Sequence, residues 1–437
     1  MPHSARDILE DLYRSALQAI QPARAINESL GTLRLPPGSA VHLLAIGKAA
    51  RPMASAALAW CGGNAVTVWG GVCISHDADD APVAPLRVLA GDHPIPGVRS
   101  LLAADAMDAY ISTGVHRGDR VLVLLSGGTS ALIGAPRRGV SSADYDACCQ
   151  ALLGSGLAIG PMNLLRRRLS RWGGGMMAAA FTARGAHADV LAISDVAGDE
   201  LAAIGGGPCV ADVTDTTDLL GVIANAVLDE ADAELLRRTL ATVAQTVPRI
   251  NAPVDHHIIA SNRQARDAVV RAAHARGLAA TDVDVPLAGD AHACGRAIAD
   301  ALLTAADSPS HHRAPHVFCW GGEPTVWLGS APPRGGRMQA LALAAAERLA
   351  SRGGNAARIT MLAAGTDGRD GTTDAAGAVV RSSTWSALTE SGLNPASLMA
   401  AHRAHDALRH IGALLPAFAS GTNVNDLVLG LVADDAV

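Results

Sequence analysis

Short apolar runs without polar interruption recur along the chain, and several end in a turn rich in glycine and polar residues. Such a run marks a strand buried on both faces of a parallel sheet. Strands are therefore expected at 41–46, 121–125, 189–194, 256–260, 316–320, 360–363 and 427–432, with others at 65–69, 72–75, 87–90, 281–285 and 326–328. Between them the apolar positions change to helical spacing. Ile8, Leu9, Leu12, Ala16, Leu17 and Ile20 form one stripe over 5–21, the pattern of an amphipathic helix. Helices are also expected at 49–60, 142–153, twice within 214–247, from Ser261 to about 276, at 288–305, and from Gly335-Gly336-Arg337 through 350. Strands alternating with helices put the chain in the α/β class. The pattern loosens around Pro248 and Pro253, so the expected domains are 1–248 and 249–437.

Composition narrows the class. Three Phe, three Tyr and six Trp in 437 residues leave a core of Ala, Val, Leu and Ile, suited to closely packed α/β layers. A net charge of -6 and the lack of a long basic run give no argument for nucleic acid. The seven cysteines show no CxxC pair and no Cys/His ligand spacing, which reads as a reduced, cytoplasmic protein without structural zinc. The first twenty residues carry acids and an amphipathic period rather than a signal core. Nothing approaches the roughly 18 apolar residues of a membrane span.

Candidate chemistry gathers at the strand ends. After the run 121–125 come Ser126, Gly127, Gly128, Thr129 and Ser130, then a helix start. Glycines there let the backbone approach a ligand, and a helix N-terminus favours an anion. Lys48 follows the strand 41–46, at the edge where open α/β sheets bind ligands. His93, in the loop Gly91-Asp92-His93-Pro94-Ile95-Pro96, has a structural or solvated reading in preference to proton transfer. Asn163, Arg166 and Arg167 share a helix face that could meet a phosphate or a carboxylate, although a charge run is usually a solvated face. Asp195 stands just past the strand 189–194, placed either to cap a helix or to hold Mg²⁺ through oxygen. His311-His312 is weak metal chemistry without further ligands. Glu323, Arg337, Asp367 and the run Gly421-Thr422-Asn423-Val424-Asn425-Asp426 form the polar blocks of the second half. Arg337, just before an apolar helix, makes sense there if an anion lies between the guanidinium and the helix end.

Taken in order, Gly47-Lys48, GDHPIP (91–96), SGGTSAL (126–132), MNLLRRRLS (162–170), SNR (261–263), GGEPTV (321–326), GGR (335–337), AGTDGRDGTTDAAGAVV (364–380) and GTNVNDL (421–427) resemble the two-domain glycerate 2-kinases of the MOFRL type, some of which are labelled hydroxypyruvate reductase. The resemblance implies a Rossmann-like N-terminal α/β domain, a smaller C-terminal α/β domain of the MOFRL type, and an active site in the interdomain cleft. It implies transfer of the ATP γ-phosphoryl group to the 2-hydroxyl of D-glycerate or a related hydroxy acid, with Mg²⁺, and it leaves a homodimer possible. Lys48, Asp195 and Arg337 match the family's catalytic positions. Ser126, Gly127, Gly128, Thr129 and Ser130 match its phosphate loop, and Glu323, Asp367 and Asn423 its polar cleft motifs. Asp195 and Asp367 are the metal candidates, and Asp195 is also the first choice for the base. Thr129, Met338, Gly206 and Cys209 depart from the family pattern and bear on the choice of hydroxy acid. An NAD-dependent reductase is the competing enzyme, but no Gly-x-Gly-x-x-Gly follows a strand. A non-catalytic binding protein derived from the kinase is the other alternative.

Overall fold

The computed structural model describes residues 4–76, 82–243, 250, 253–308, 315–326 and 335–433. His311, His312 and most of the expected strand 326–328 lie outside the described residues. The chain forms two compact units, Pro22–Ile259 and Met1–Gln21 with Ala260–Val437. They are called the N-terminal and C-terminal units below. This division differs from 248/249 in two ways: the helix Ala5–Ala19 belongs with the C-terminal half, and the strand Val254–Ala260 joins the first sheet.

The N-terminal unit is built on β1 (Ala40–Ile46), β2 (Thr67–Ser75), β3 (Leu86–Ala90), β4 (Arg120–Leu125), β5 (His187–Ile193) and β6 (Val254–Ala260), in the order 3-2-1-4-5-6. The pairings from β3 through β5 are all parallel. Each apolar run is buried because helices cover the sheet: every residue of β4 after Arg120 is buried, and so is every residue of β1 after Ala40. The two strands expected at 65–69 and 72–75 are one, β2. Its Gly71 runs so close to β1 that a Cβ would lie 1.8 Å from the Leu43 carbonyl oxygen. A satellite cluster of Tyr145, Leu152, Leu165, Leu169, Leu236 and Leu240 anchors the helix Ile159–Leu169.

The C-terminal unit carries β7 (Ala279–Asp282), β8 (His316–Gly322), β9 (Ile359–Gly365), β10 (Ala375–Arg381), β11 (Leu414–Pro416) and β12 (Asp426–Val432), in the order 11-10-9-12-8-7. Among the described strands β7 and β8 pair in parallel, and the other strand pairings are antiparallel. Under this sheet the alanine-rich helix Arg337–Ala350 is buried along most of its length. It crosses the helix Ala291–Asp307 so tightly that a Cβ on Gly295 would sit 2.2 Å from the Leu341 carbonyl oxygen. The helix Ala5–Ala19 packs its apolar stripe on the helix Asn262–Ala275 and on β9 and β12. No described helix is long and apolar enough to cross a membrane.

Candidate active site

In the N-terminal unit the turns after β1, β4 and β5 interlock. Ser126 N–H donates to the Ile46 carbonyl (3.1 Å), and Lys48 N–H donates to the Gly127 carbonyl (2.9 Å). The Ser126 hydroxyl accepts from Ala49 N–H at 3.0 Å. Gly47, at φ +132°, leaves room for that hydroxyl, which a Cβ would meet at 2.1 Å. The Asp195 carboxylate lies over Gly127, where a Cβ would come within 2.0 Å of Oδ2. Gly128 has φ +86°, and a Cβ there would stand 3.1 Å from the His93 ring and 3.4 Å from Lys48 Cγ. Lys48, His93 and Asp195 therefore surround one pair of glycines.

The loop 126–130 differs from its expected form in two respects. The helix that follows is a single turn, Thr129–Leu132, so little macrodipole is available to an anion. Its side chains also divide. Ser126 and Thr129 are buried, and the Thr129 hydroxyl points inward to the carbonyls of Ile46 (2.9 Å) and Ser126 (2.8 Å). What the loop offers is backbone: among the described residues, no acceptor takes the N–H groups of Gly127, Gly128, Thr129 or Ser130. Successive backbone N–H groups left without acceptors can make an anion-binding nest without a long helix.

His93, given a structural or solvated reading from sequence, is exposed and stands against Gly128 of the loop. Partial desolvation of its ring, with Lys48, His76 and Arg166 nearby, holds its pKa down to about 4, although the residue as a whole remains solvent-accessible. It is neutral at physiological pH. Of the arginine run, Arg167 and Arg168 are not available to a ligand in the way their spacing suggested. Both guanidiniums grip the buried Asp212 carboxylate, each at 2.9 Å. The Arg166 guanidinium has no hydrogen-bond or ion-pair partner among the described residues.

The C-terminal unit holds a second polar cluster. Arg337 opens the helix Arg337–Ala350, as expected. The anion expected beside it is supplied by the protein itself. The guanidinium bonds Asp426 through Nε (2.5 Å) and Nη2 (3.2 Å), and Glu323 through Nη1 (2.8 Å). The helix end is covered by Asp370, which accepts from Met338 N–H (3.0 Å) and Gln339 N–H (2.8 Å). Gly336 allows that approach, since a Cβ would lie 2.1 Å from Asp370 Cγ. Against its burial, the Asp426 and Glu323 carboxylates hold the Arg337 guanidinium above its usual range. Burial pushes Asp426 up, opposed by Arg337 and reinforced by Asp370 and Glu323. Asp367 Oδ1 and Asp426 Oδ1 both face Gly365, within 3.0 and 3.3 Å of where its Cβ would be. Asn423 is part of a local turn, its Oδ1 accepting from Asn425 N–H at 3.0 Å. Asp426 and Asp370 were legible as the acids that close GTNVND and DGRD, but nothing in the spacing separated them from turn residues.

The metal candidates Asp195 and Asp367 belong to different units. The compact His/carboxylate group among the described residues is instead His187, Asp189 and Asp255. It starts at the opposite end of β5 from Asp195, and Asp189 is already held by Arg120 (2.6 and 3.0 Å).

The departures from the family pattern mostly face away from these clusters. Met338 is fully buried in the core of the C-terminal unit, and Cys209 is buried in that of the N-terminal unit. Thr129 is sealed behind its loop. Gly206, at φ +77° with Ser130 against it, lines the cleft beside the loop.

Residues 8–241 match the family described as a domain of unknown function, DUF4147, and residues 316–426 match the MOFRL family. The D-glycerate 2-kinase of Thermotoga maritima is 32% identical over 433 residues, spanning 99% of each chain. A protein of Agrobacterium vitis that carries a hydroxypyruvate reductase name is 33% identical over 426 residues, spanning 97% of this chain and 94% of its own. The crystal structure of a glycerate kinase from Thermotoga maritima matches with a TM-score of 0.86 at 31% identity, covering 99% of this chain and 100% of that one. With both halves matched in order and over nearly their whole length, the chain belongs to the two-domain glycerate 2-kinase family of the MOFRL type.

Proposed function

We propose that this chain is an ATP-dependent D-glycerate 2-kinase, moving the γ-phosphoryl group of ATP to the 2-hydroxyl of D-glycerate or a closely related small 2-hydroxy acid. The observation that carries the reading is the loop 126–130, whose N–H groups lack acceptors while Lys48 and Asp195 flank its glycines. Phosphoryl transfer needs positioning and charge neutralisation more than covalent chemistry. Fixed backbone donors and a lysine meet that need without reorganising during the reaction. Asp195 is the group assigned to receive the acceptor hydroxyl's proton, and His93, neutral beside Gly128, keeps further positive charge off the loop at neutral pH.

Hard carboxylate oxygens suit Mg²⁺, and the oxygens of Asp367 and Asp426 at Gly365 fit that donor chemistry. Asp367 is the residue proposed to hold the ion, which when bound would neutralise charge on the phosphates. A cytoplasmic setting accords with seven cysteines that form no disulfide.

The test is ADP release with MgATP over glycerate, tartronate, lactate and four-carbon sugar acids, with the phosphorylated position read by ³¹P NMR. ADP above background with glycerate and phosphate on the 2-hydroxyl supports the reading. NADH oxidation with hydroxypyruvate at a comparable rate would instead make the chain a reductase.

A further inference from the structure

We propose that Arg166, assisted by Asn163, binds the carboxylate of the acceptor acid in the cleft beside the loop 126–130. The inference rests on the kinase reading for the identity of that acid. The helix Ile159–Leu169 buries Leu165 and Leu169 in the satellite core, which fixes the helix and turns Asn163 and Arg166 to the cleft that also includes Ser130, Trp172 and Gly206. Ser130 ends the nest, so the cleft adjoins the loop, and Gly206 packs against Ser130 Cβ.

Three observations give the cleft its sign. Among the described residues no carboxylate lines it, although Arg166 and Arg167 both do. Arg166 and Asn163 have no side-chain partner among the described residues, whereas Arg167 and Arg168 are satisfied by Asp212. The buried indole N–H of Trp172 and the Nε–H of Arg167 also lack acceptors. Buried donors left unpaired are costly, and one small anion would satisfy several at once. The planar guanidinium fork matches a carboxylate in two parallel bonds, and an amide adds a third donor. A carboxylate seated there would leave the rest of a short hydroxy acid to extend past Ser130 toward the glycines.

The experiment uses the full chain and its Arg166→Gln, Arg166→Lys and Asn163→Ala variants, with D-glycerate and its uncharged amide as acceptors. Arg166→Gln is expected to raise KM for glycerate by about 10–100-fold, the worth of a hydrogen bond to a charged group, with KM for ATP and turnover on the amide little changed. Arg166→Lys should recover only part, because it restores charge without the fork. Thermal stabilisation by glycerate alone, without nucleotide, is measured on the same proteins. It is expected in the parent and lost in Arg166→Gln, and this holds whether or not the parent releases ADP, so the kinase reading can fail separately. Unchanged KM for glycerate in Arg166→Gln overturns the inference, as does an equal loss for acid and amide. Glycerate stabilisation that survives in the variant, or none in the parent, overturns it too.

Discussion

Arg337 holds Asp426 with two nitrogens, at 2.5 and 3.2 Å, while the carboxylate it grips is 2% exposed. Removing the guanidinium would leave that carboxyl group buried without its partner, either charged or forced to take up a proton. Arg337→Ala is therefore expected to lower stability by about 3 kcal/mol, the low end for breaking a buried pair, since the arginine is partly exposed. Arg337→Ala combined with Asp426→Leu should recover part of the loss, because the orphaned charge goes with it. Urea unfolding of the single and double variants checks this. A single variant as stable as the parent would show that the pair is not what holds the cluster.

The contact between Gly127 and Asp195 makes a second prediction about activity alone. Gly127 does not sit at positive φ, so alanine brings no backbone strain. It brings a Cβ into the space of Asp195 Oδ2, 2.0 Å away, and that carboxylate or the loop must move. Gly127→Ala should lose about 100-fold or more in turnover, as expected for a shift near 1 Å at a reacting group. The melting temperature should stay within a few degrees of the parent (roughly what a 1 kcal/mol change gives). Turnover close to the parent's would separate Asp195 from the chemistry.

Strand runs and ordered motifs were readable because burial on both sheet faces leaves a one-dimensional mark, as in the apolar stretch that became β4. The second sheet was harder. β10 and β11 escaped notice because Ala375–Arg381 follows a long glycine-rich loop and β11 is three residues long. The association of the helix Ala5–Ala19 with β9 and β12 is a contact across most of the chain, which no local pattern encodes. At the site, residue identities were legible and side-chain directions were not. Ser126 and Thr129 looked like ligand contacts, yet both hydroxyls serve the backbone of neighbouring turns. Met338 and Cys209 looked like altered specificity and are core residues. Gly206 faces the cleft beside Ser130, whereas Met338 lies in the core and Thr129 points inward, so the sequence departures weigh less against glycerate than they did when read as a string.

Thr129 turns that correction into a measurement. Its hydroxyl serves the Ile46 and Ser126 carbonyls, and its methyl packs at Gly205. Thr129→Val keeps the shape and removes the hydrogen bond, at an expected cost of about 1 kcal/mol or somewhat more. Kinetic constants for glycerate should be unchanged. Thr129→Gly should cost more stability, through a cavity and a freer loop, and should not improve glycerate turnover. A clear gain in turnover would put the side chain back at the ligand.

The last prediction concerns pH and follows from His93. In the folded protein its pKa is about 4, lowered by desolvation and by Lys48, His76 and Arg166, against about 6.5 for an unfolded histidine. Between those values the unfolded chain binds a proton that the folded chain refuses. By linkage, this residue makes stability fall as pH drops from about 6.5 toward 4, with no further contribution below. His93→Gln removes that contribution. The urea midpoint should therefore fall less between pH 7 and pH 5 in the variant than in the parent. The same neutrality bears on catalysis: a histidine already neutral at pH 6 cannot give the activity profile a step near 6.5. A step there that disappears in His93→Gln would mean that His93 titrates normally and that the cations around it are better screened than their placement implies.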